Sequence, residues 1–178
     1  FPPRGKEAMT GSRFRRLTEK LNASERDSII LREIVAGNIP GWLRKPVYLT
    51  DTLDDANGKT HEVIWRVLPD FIAIGDDSDF MRVPMLPLTA QKIADHFGAV
   101  LPTRRMSDLI HRHSTFKAIP HPMTPDATMT TVPVFARHDS IVEAGRTAAG
   151  AHSGQLTAGH KKDIVITNRI ASEPGRLF

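Results

Sequence analysis

The chain has 178 residues, with 24 Lys plus Arg against 20 Asp plus Glu, 8 His, 13 Pro, 12 Gly and no Cys. A chain of this length buries roughly 70% of the surface its unfolded form exposes, so it needs no disulfide or metal staple to fold. The lack of Cys excludes disulfides, thiolate nucleophiles and Cys-ligated zinc or iron-sulfur centres, and no apolar run reaches the ~18 residues of a membrane span.

The net charge of +4 is unevenly placed. Residues 1 to 50 carry +5, residues 51 to 100 carry −5, and residues 101 to 178 carry +4. An acidic block between two basic ones predicts segments that face each other within one fold, and argues against a nucleic-acid surface. Trp42, Trp65, Tyr48 and the eight Phe also fail to interleave with a basic stripe, as stacking platforms do. No partner nucleic acid and no membrane span are expected. The start at Phe1-Pro2-Pro3 reads as that of a processed product.

Residues 1 to 23 are rich in Pro, Gly and basic side chains, and are expected as a flexible basic arm or a short helix docked late. A helix is predicted over 25 to 36, with Ser24 as N-cap, Asp27 in the first turn, an Ile30/Ile34 face, and Gly37-Asn38-Pro40 as the stop. Asn57-Gly58 is read as the centre of a two-residue hairpin turn, both positions taking positive φ, between strands 47 to 53 and 61 to 68. Val63, Trp65 and Val67 then share one face, with Ile64 and Arg66 on the other. Phe71 to Ile74 and Phe80 to Met85 read as short strands around an acidic turn, Gly75-Asp76-Asp77-Ser78-Asp79.

Ala90, Ile93, Ala94 and Phe97 predict one helical stripe, and Met106, Leu109, Ile110 and His113, capped by Thr103, predict a second. Residues 115 to 133, with four Pro, are expected as irregular loop, followed by a weak helical patch at 139 to 148. A strand is predicted at Ile164-Val165-Ile166. The sum is an α+β fold, a small mainly antiparallel sheet around the Asn-Gly hairpin packed against about three to four helices, forming a single domain from 24 to 178.

Four blocks carry a resemblance. Gly37-Asn38-Ile39-Pro40 with Leu43-Arg44, Pro69-Asp70-Phe71-Ile72-Ala73-Ile74-Gly75 with Asp77 and Asp79-Phe80, Thr89-Ala90-Gln91 through Leu101-Pro102-Thr103-Arg104, and Lys161-Lys162-Asp163-Ile164-Val165-Ile166 together resemble a family of uncharacterised, mostly bacterial proteins that often carry secretion signals. The blocks span about residues 34 to 176. The resemblance implies an extracellular or periplasmic setting. It also implies a continuation rich in Tyr, His and Arg, so that a second polypeptide fragment would complete the fold.

Several constellations bear on chemistry. Asp76, Asp77 and Asp79 read either as a solvated turn or as a source of one inward carboxylate paired with Arg82, Arg104 or a substrate amine. No zinc signature is present, and no metal or cofactor is expected. His61 and His160 are the candidate general bases, with Asp79 as acid or orienting group. Arg82 and Arg104, with Thr103 at a helix N-terminus and Lys162 on a basic turn, are candidates to hold a carboxylate or phosphate. Capping by Thr103 and a salt bridge from Arg104 to Asp79 account for the same residues without a ligand. With the resemblance, these residues suggest an envelope-associated hydrolase of a cell-wall or other polymer. The competing reading is a non-catalytic binding module for an anionic glycan or peptide.

Overall fold

The computed structural model describes residues 1 to 159. Within them the chain is an α+β fold of five helices and short, mainly antiparallel two-stranded ribbons. In chain order these are α1 (Gly11–Thr18), α2 (Ala23–Val35), a 3-10 turn (Gly41–Arg44), β1 (Val47–Asp54), β2 (Thr60–Val67), β3 (Ala73–Gly75), β4 (Phe80–Arg82), α3 (Pro87–His96), α4 (Arg104–His113), β5 (Phe116–Lys117), α5 (Val132–Ala148) and β6 (Thr157–Ala158). β5 and β6 run parallel, and the other two ribbons are antiparallel.

Residues 1 to 23 take the docked form rather than that of an arm. Thr10 caps α1, and Phe14 is 1% exposed, so the Arg-rich helix turns a single aromatic ring inward and its charges outward. Burial of a Phe side chain contributes about 2 to 3 kcal/mol, enough to hold a two-turn helix that propensity alone does not support. Gly11 and Gly75 allow the approach. A Cβ on Gly11 would collide with the Phe80 backbone, and Gly75, at φ +130, lies against both Asp79 and Gly11.

α2 begins slightly earlier than its apolar face suggests, because Asn22 and Glu25 form a capping box: Asn22 Oδ1 accepts from Glu25 N and Glu25 Oε2 accepts from Asn22 N, each at 3.0 Å. Gly37, at φ +80, terminates it. Its buried Ile30 and Ile34 meet Ile39, Leu43, Ala73, Ile74, Met81 and Ile93 in the main core. That core therefore sits on the β3–β4 ribbon.

The β1–β2 hairpin pairs in register from Val47↔Val67 to Asp54↔Thr60 and stands apart from β3 and β4, because Pro69 breaks the ladder and the chain turns before Ala73. Its turn is longer than two residues. Asp55 N donates to Lys59 O at 2.9 Å, and only Gly58 (φ +77) is left-handed, whereas Asn57 keeps negative φ. This is the three-residue loop, an ordinary turn followed by a left-handed Gly.

α5 is the largest departure. It covers 17 residues, starting inside the expected loop and running through the helical patch expected at 139 to 148. Pro133 sits in its first turn, where the missing N–H breaks no helical bond. Its buried stripe is Val132, Ala136, Asp139, Val142 and Arg146, so two of the inward positions are charged and the hydrophobic period is masked.

Candidate functional site

The acidic turn between β3 and β4 is fully engaged in holding backbone. Asp76 Oδ1 accepts from Ser78 N, Ser78 Oγ and Asp79 N at 2.9, 2.7 and 2.8 Å. Asp77 Oδ1 accepts from Gly41 N and Trp42 N at the start of the 3-10 turn. Asp79 Oδ1 accepts from Ser12 N at 2.9 Å and Ser12 Oγ at 3.0 Å at the start of α1. Partial burial works to raise the Asp79 pKa, but hydrogen bonds from Thr10, Ser12 N and Ser12 Oγ outweigh it and hold the carboxyl below its ordinary value. The Asp79 expected as acid or orienting group is thus bonded to the start of α1, and of the two readings of this turn the one with an inward carboxylate paired with Arg82 or Arg104 is not realised. Among the described residues no three His, Asp or Glu side chains group as a metal site.

Arg82, expected on a ligand-facing surface, is completely buried. Its Nε and Nη2 donate to Asp70 Oδ2 at 3.1 and 2.6 Å, its Nη1 donates to Asp139 Oδ1 at 3.0 Å, and Nη2 lies 2.7 Å from Glu143 Oε1. Arg146 Nη1 reaches the same Asp70 oxygen at 2.6 Å. Burial pulls the Arg82 pKa down, but Asp70, Asp139 and Glu143 overcome it and the value is raised. The cluster ties β4 and α5 to the segment before β3. Asp139, Glu143 and Arg146 fall within the helical patch expected at 139 to 148 and Asp70 within the block Pro69 to Gly75, but none is marked as a site residue, because a charged position is not read as inward; the signal that finds them is helical spacing with positions 139, 143 and 146 counted as inward.

His61 stands near the hairpin tip, 46% exposed, with Nε2 3.0 Å from Asp55 Oδ2. The imidazole, followed by the backbone amides of Lys59 and Asn57, depresses the Asp55 pKa. No hydrogen bond or ion pair links His61 to Asp79 or Arg82. His160, Lys162 and the strand expected at 164 to 166 lie outside the described residues.

Thr103 and Arg104 do stand at a helix N-terminus. Thr103 Oγ1 accepts from Met106 N at 3.3 Å, so its hydroxyl is the cap of α4. Arg104 is 86% exposed and only 3.9 Å from Asp108, with no bond to Asp79. Beside it lies an open cleft of about 540 Å³ between α4 and β1, lined by Asp51, Arg104, Arg105, Asp108, Leu109 and Arg112. Buried Leu109 forms its floor. Arg105 is fixed in place: Nε donates to Asp51 Oδ2 and Nη2 to Thr52 O, both at 2.6 Å. That hydrogen bond, aided by the charges of Arg105 and Arg112, lowers the Asp51 pKa, and Asp51 in turn raises that of Arg105. The guanidinium groups of Arg104 and Arg112 make no hydrogen bond within the described residues, and they lie on one stripe of α4 at i and i+8. A second depression, about 460 Å³ near Gly5 and Asn38, sets Lys6 and Arg13 against Glu7 and Glu33, so its charges balance.

No family model, curated protein or solved structure matches the chain. No helix among the described residues is long and apolar enough to cross a membrane.

Proposed function

We propose that the protein is a non-catalytic binding module for an anionic glycan or peptide, with the cleft between α4 and β1 as its site. The observation that carries this reading is the pair of guanidinium groups, Arg104 and Arg112, that make no hydrogen bond among the described residues, beside the fixed Arg105–Asp51 pair. A helix rises 1.5 Å per residue, so the two positions are about 12 Å apart along α4 and favour a ligand with repeated negative charges over one compact anion. Each guanidinium offers a fork of donors that matches a carboxylate. Exposed Asp108, at 3.9 Å, competes weakly for Arg104. A shallow, open cleft suits a chain that passes through it.

The hydrolase draws less support. It needs a base, an acid and an anion clamp within reach of one reacting atom. His61 instead pairs with Asp55 on the hairpin, Asp79 is bonded to the start of α1, and Arg82 is enclosed.

The test is calorimetric titration with an oligouronate and with an oligoglutamate peptide, at low and at moderate salt. Binding that weakens with salt is expected for at least one of them. Arg104→Ala and Arg112→Ala should each cost about 1.5 to 3 kcal/mol, as for a hydrogen bond to a charged group. Affinity unchanged in both variants removes the cleft as the site. Release of shorter oligomers during the titration would replace the binding module with the hydrolase.

A further inference from the structure

The free edge of β2 is a self-complementary surface. Asp55 and Lys59 form a hydrogen-bonded pair at the base of the loop, and antiparallel pairs alternate, so Leu53↔His61, Asp51↔Val63 and Leu49↔Trp65 are the hydrogen-bonded pairs of the hairpin. Glu62, Ile64 and Arg66 therefore turn their N–H and C=O groups away from β1. Nothing among the described residues accepts or donates to them. The β1 edge differs, since Arg105 occupies Thr52 O and α4 lies alongside.

Exposed strand edges are ordinarily blunted by Pro, a bulge or unmatched charge. β2 reads Thr-His-Glu-Val-Ile-Trp-Arg-Val, with an unbroken register and no Pro or Gly. Its two charges are spaced evenly about Ile64, which is 62% exposed. Neither the Glu62 nor the Arg66 side chain has an ion-pair partner among the described residues of its own chain.

We propose that β2 pairs antiparallel with β2 of a second copy of this chain, about a two-fold axis through Ile64. Ile64 then faces Ile64 of the second copy, and Glu62 of each copy faces Arg66 of the other. On the opposite face Val63 meets Trp65 of the second copy. All three outward residues find hydrogen-bond partners at once, because positions 62, 64 and 66 share one parity. Two hairpins become one four-stranded antiparallel sheet, and the interface is isologous, as a closed dimer requires. The contact is small, so the dimer belongs to the weak class.

Sedimentation equilibrium tests this. The wild-type mass should rise from 19.8 kDa toward twice that value as concentration approaches the millimolar range. Glu62→Arg and Arg66→Glu each place like charges opposite one another twice and should weaken the dimer about tenfold or more. The two single variants mixed together should recover association, since one chain then carries two basic side chains at positions 62 and 66 and the other carries two acidic ones. The double swap in one chain should recover it too. Far-ultraviolet circular dichroism identical to wild type verifies that each variant is folded. A wild type that stays at 19.8 kDa overturns the proposal, as does a dimer indifferent to both single variants or a mixture that remains monomeric.

Discussion

Arg82 and Asp70 meet inside the protein through a shared oxygen: Asp70 Oδ2 accepts Arg82 Nε at 3.1 Å, Arg82 Nη2 at 2.6 Å and Arg146 Nη1 at 2.6 Å. Asp70 Oδ1 accepts from Phe71 N at 2.7 Å, so the carboxylate also fixes the chain just before β3. Charges this deep persist only where partners replace water. The arrangement makes α5, which is distant in sequence, part of the frame that carries β3 and β4.

Removing Arg82 leaves Asp70 and Asp139 charged and buried. Arg82→Met should therefore cost about 3 to 5 kcal/mol, although Met fills much of the same volume. Arg82→Lys keeps the charge, but one ammonium cannot serve Asp70, Asp139 and Glu143 together, and only part of the loss should be recovered. Urea denaturation followed by circular dichroism reads both. A midpoint unchanged in Arg82→Met would mean that the cluster contributes no net stability.

Phe14 tests whether the N-terminal helix is part of the folding unit. Its ring is buried between α1 and the β3–β4 ribbon, so Phe14→Ala should lose about 3 to 5 kcal/mol. Replacement of neighbouring Arg13, which points to solvent, should shift the same midpoint by less than about 0.5 kcal/mol. Equal small effects at both positions would show that residues 1 to 18 unfold separately.

The contrast between Phe14 and α5 shows which parts of the fold are legible. Elements whose inward faces are apolar, such as α2, α3, α4 and the hairpin strands, follow from periodicity within a few residues. α1 is obscured because a single Phe among basic and polar neighbours carries its burial. The second half of α5 is legible only as a weak patch at 139 to 148, because Asp139 and Arg146 occupy core positions, and its start is missed because Pro133 resembles a breaker, whereas at the first turn it is a starter. The site follows the same rule. Thr103 and Arg104 are found because capping is local in sequence, while Asp51 and Arg112, which complete the cleft, are brought there by the packing of α4 on β1.

The hairpin turn gives a local prediction. Gly58 has positive φ and open space around its missing Cβ, so Gly58→Ala should cost about 1 to 2 kcal/mol from backbone conformation alone. Asn57 has negative φ, and Asn57→Ala should cost less than about 0.5 kcal/mol. Thermal denaturation of the two variants separates them. Equal losses would restore the two-residue turn.

Asp79 links stability to pH. Its native pKa lies below the ordinary carboxylate value, since the hydrogen bonds from Thr10 and Ser12 outweigh partial burial. The unfolded state then binds a proton more readily than the native state, so this contribution is complete above the unfolded value of about 3.9 and is lost as pH falls through the native one. Asp79→Asn keeps an acceptor for Ser12 but has no charge to lose. Urea midpoints measured from neutral pH down to about 3 should show wild type ahead at neutral pH and the gap closing on acidification. A gap that stays constant over that range would mean that the Asp79 charge takes no part in holding α1 against the β3–β4 turn.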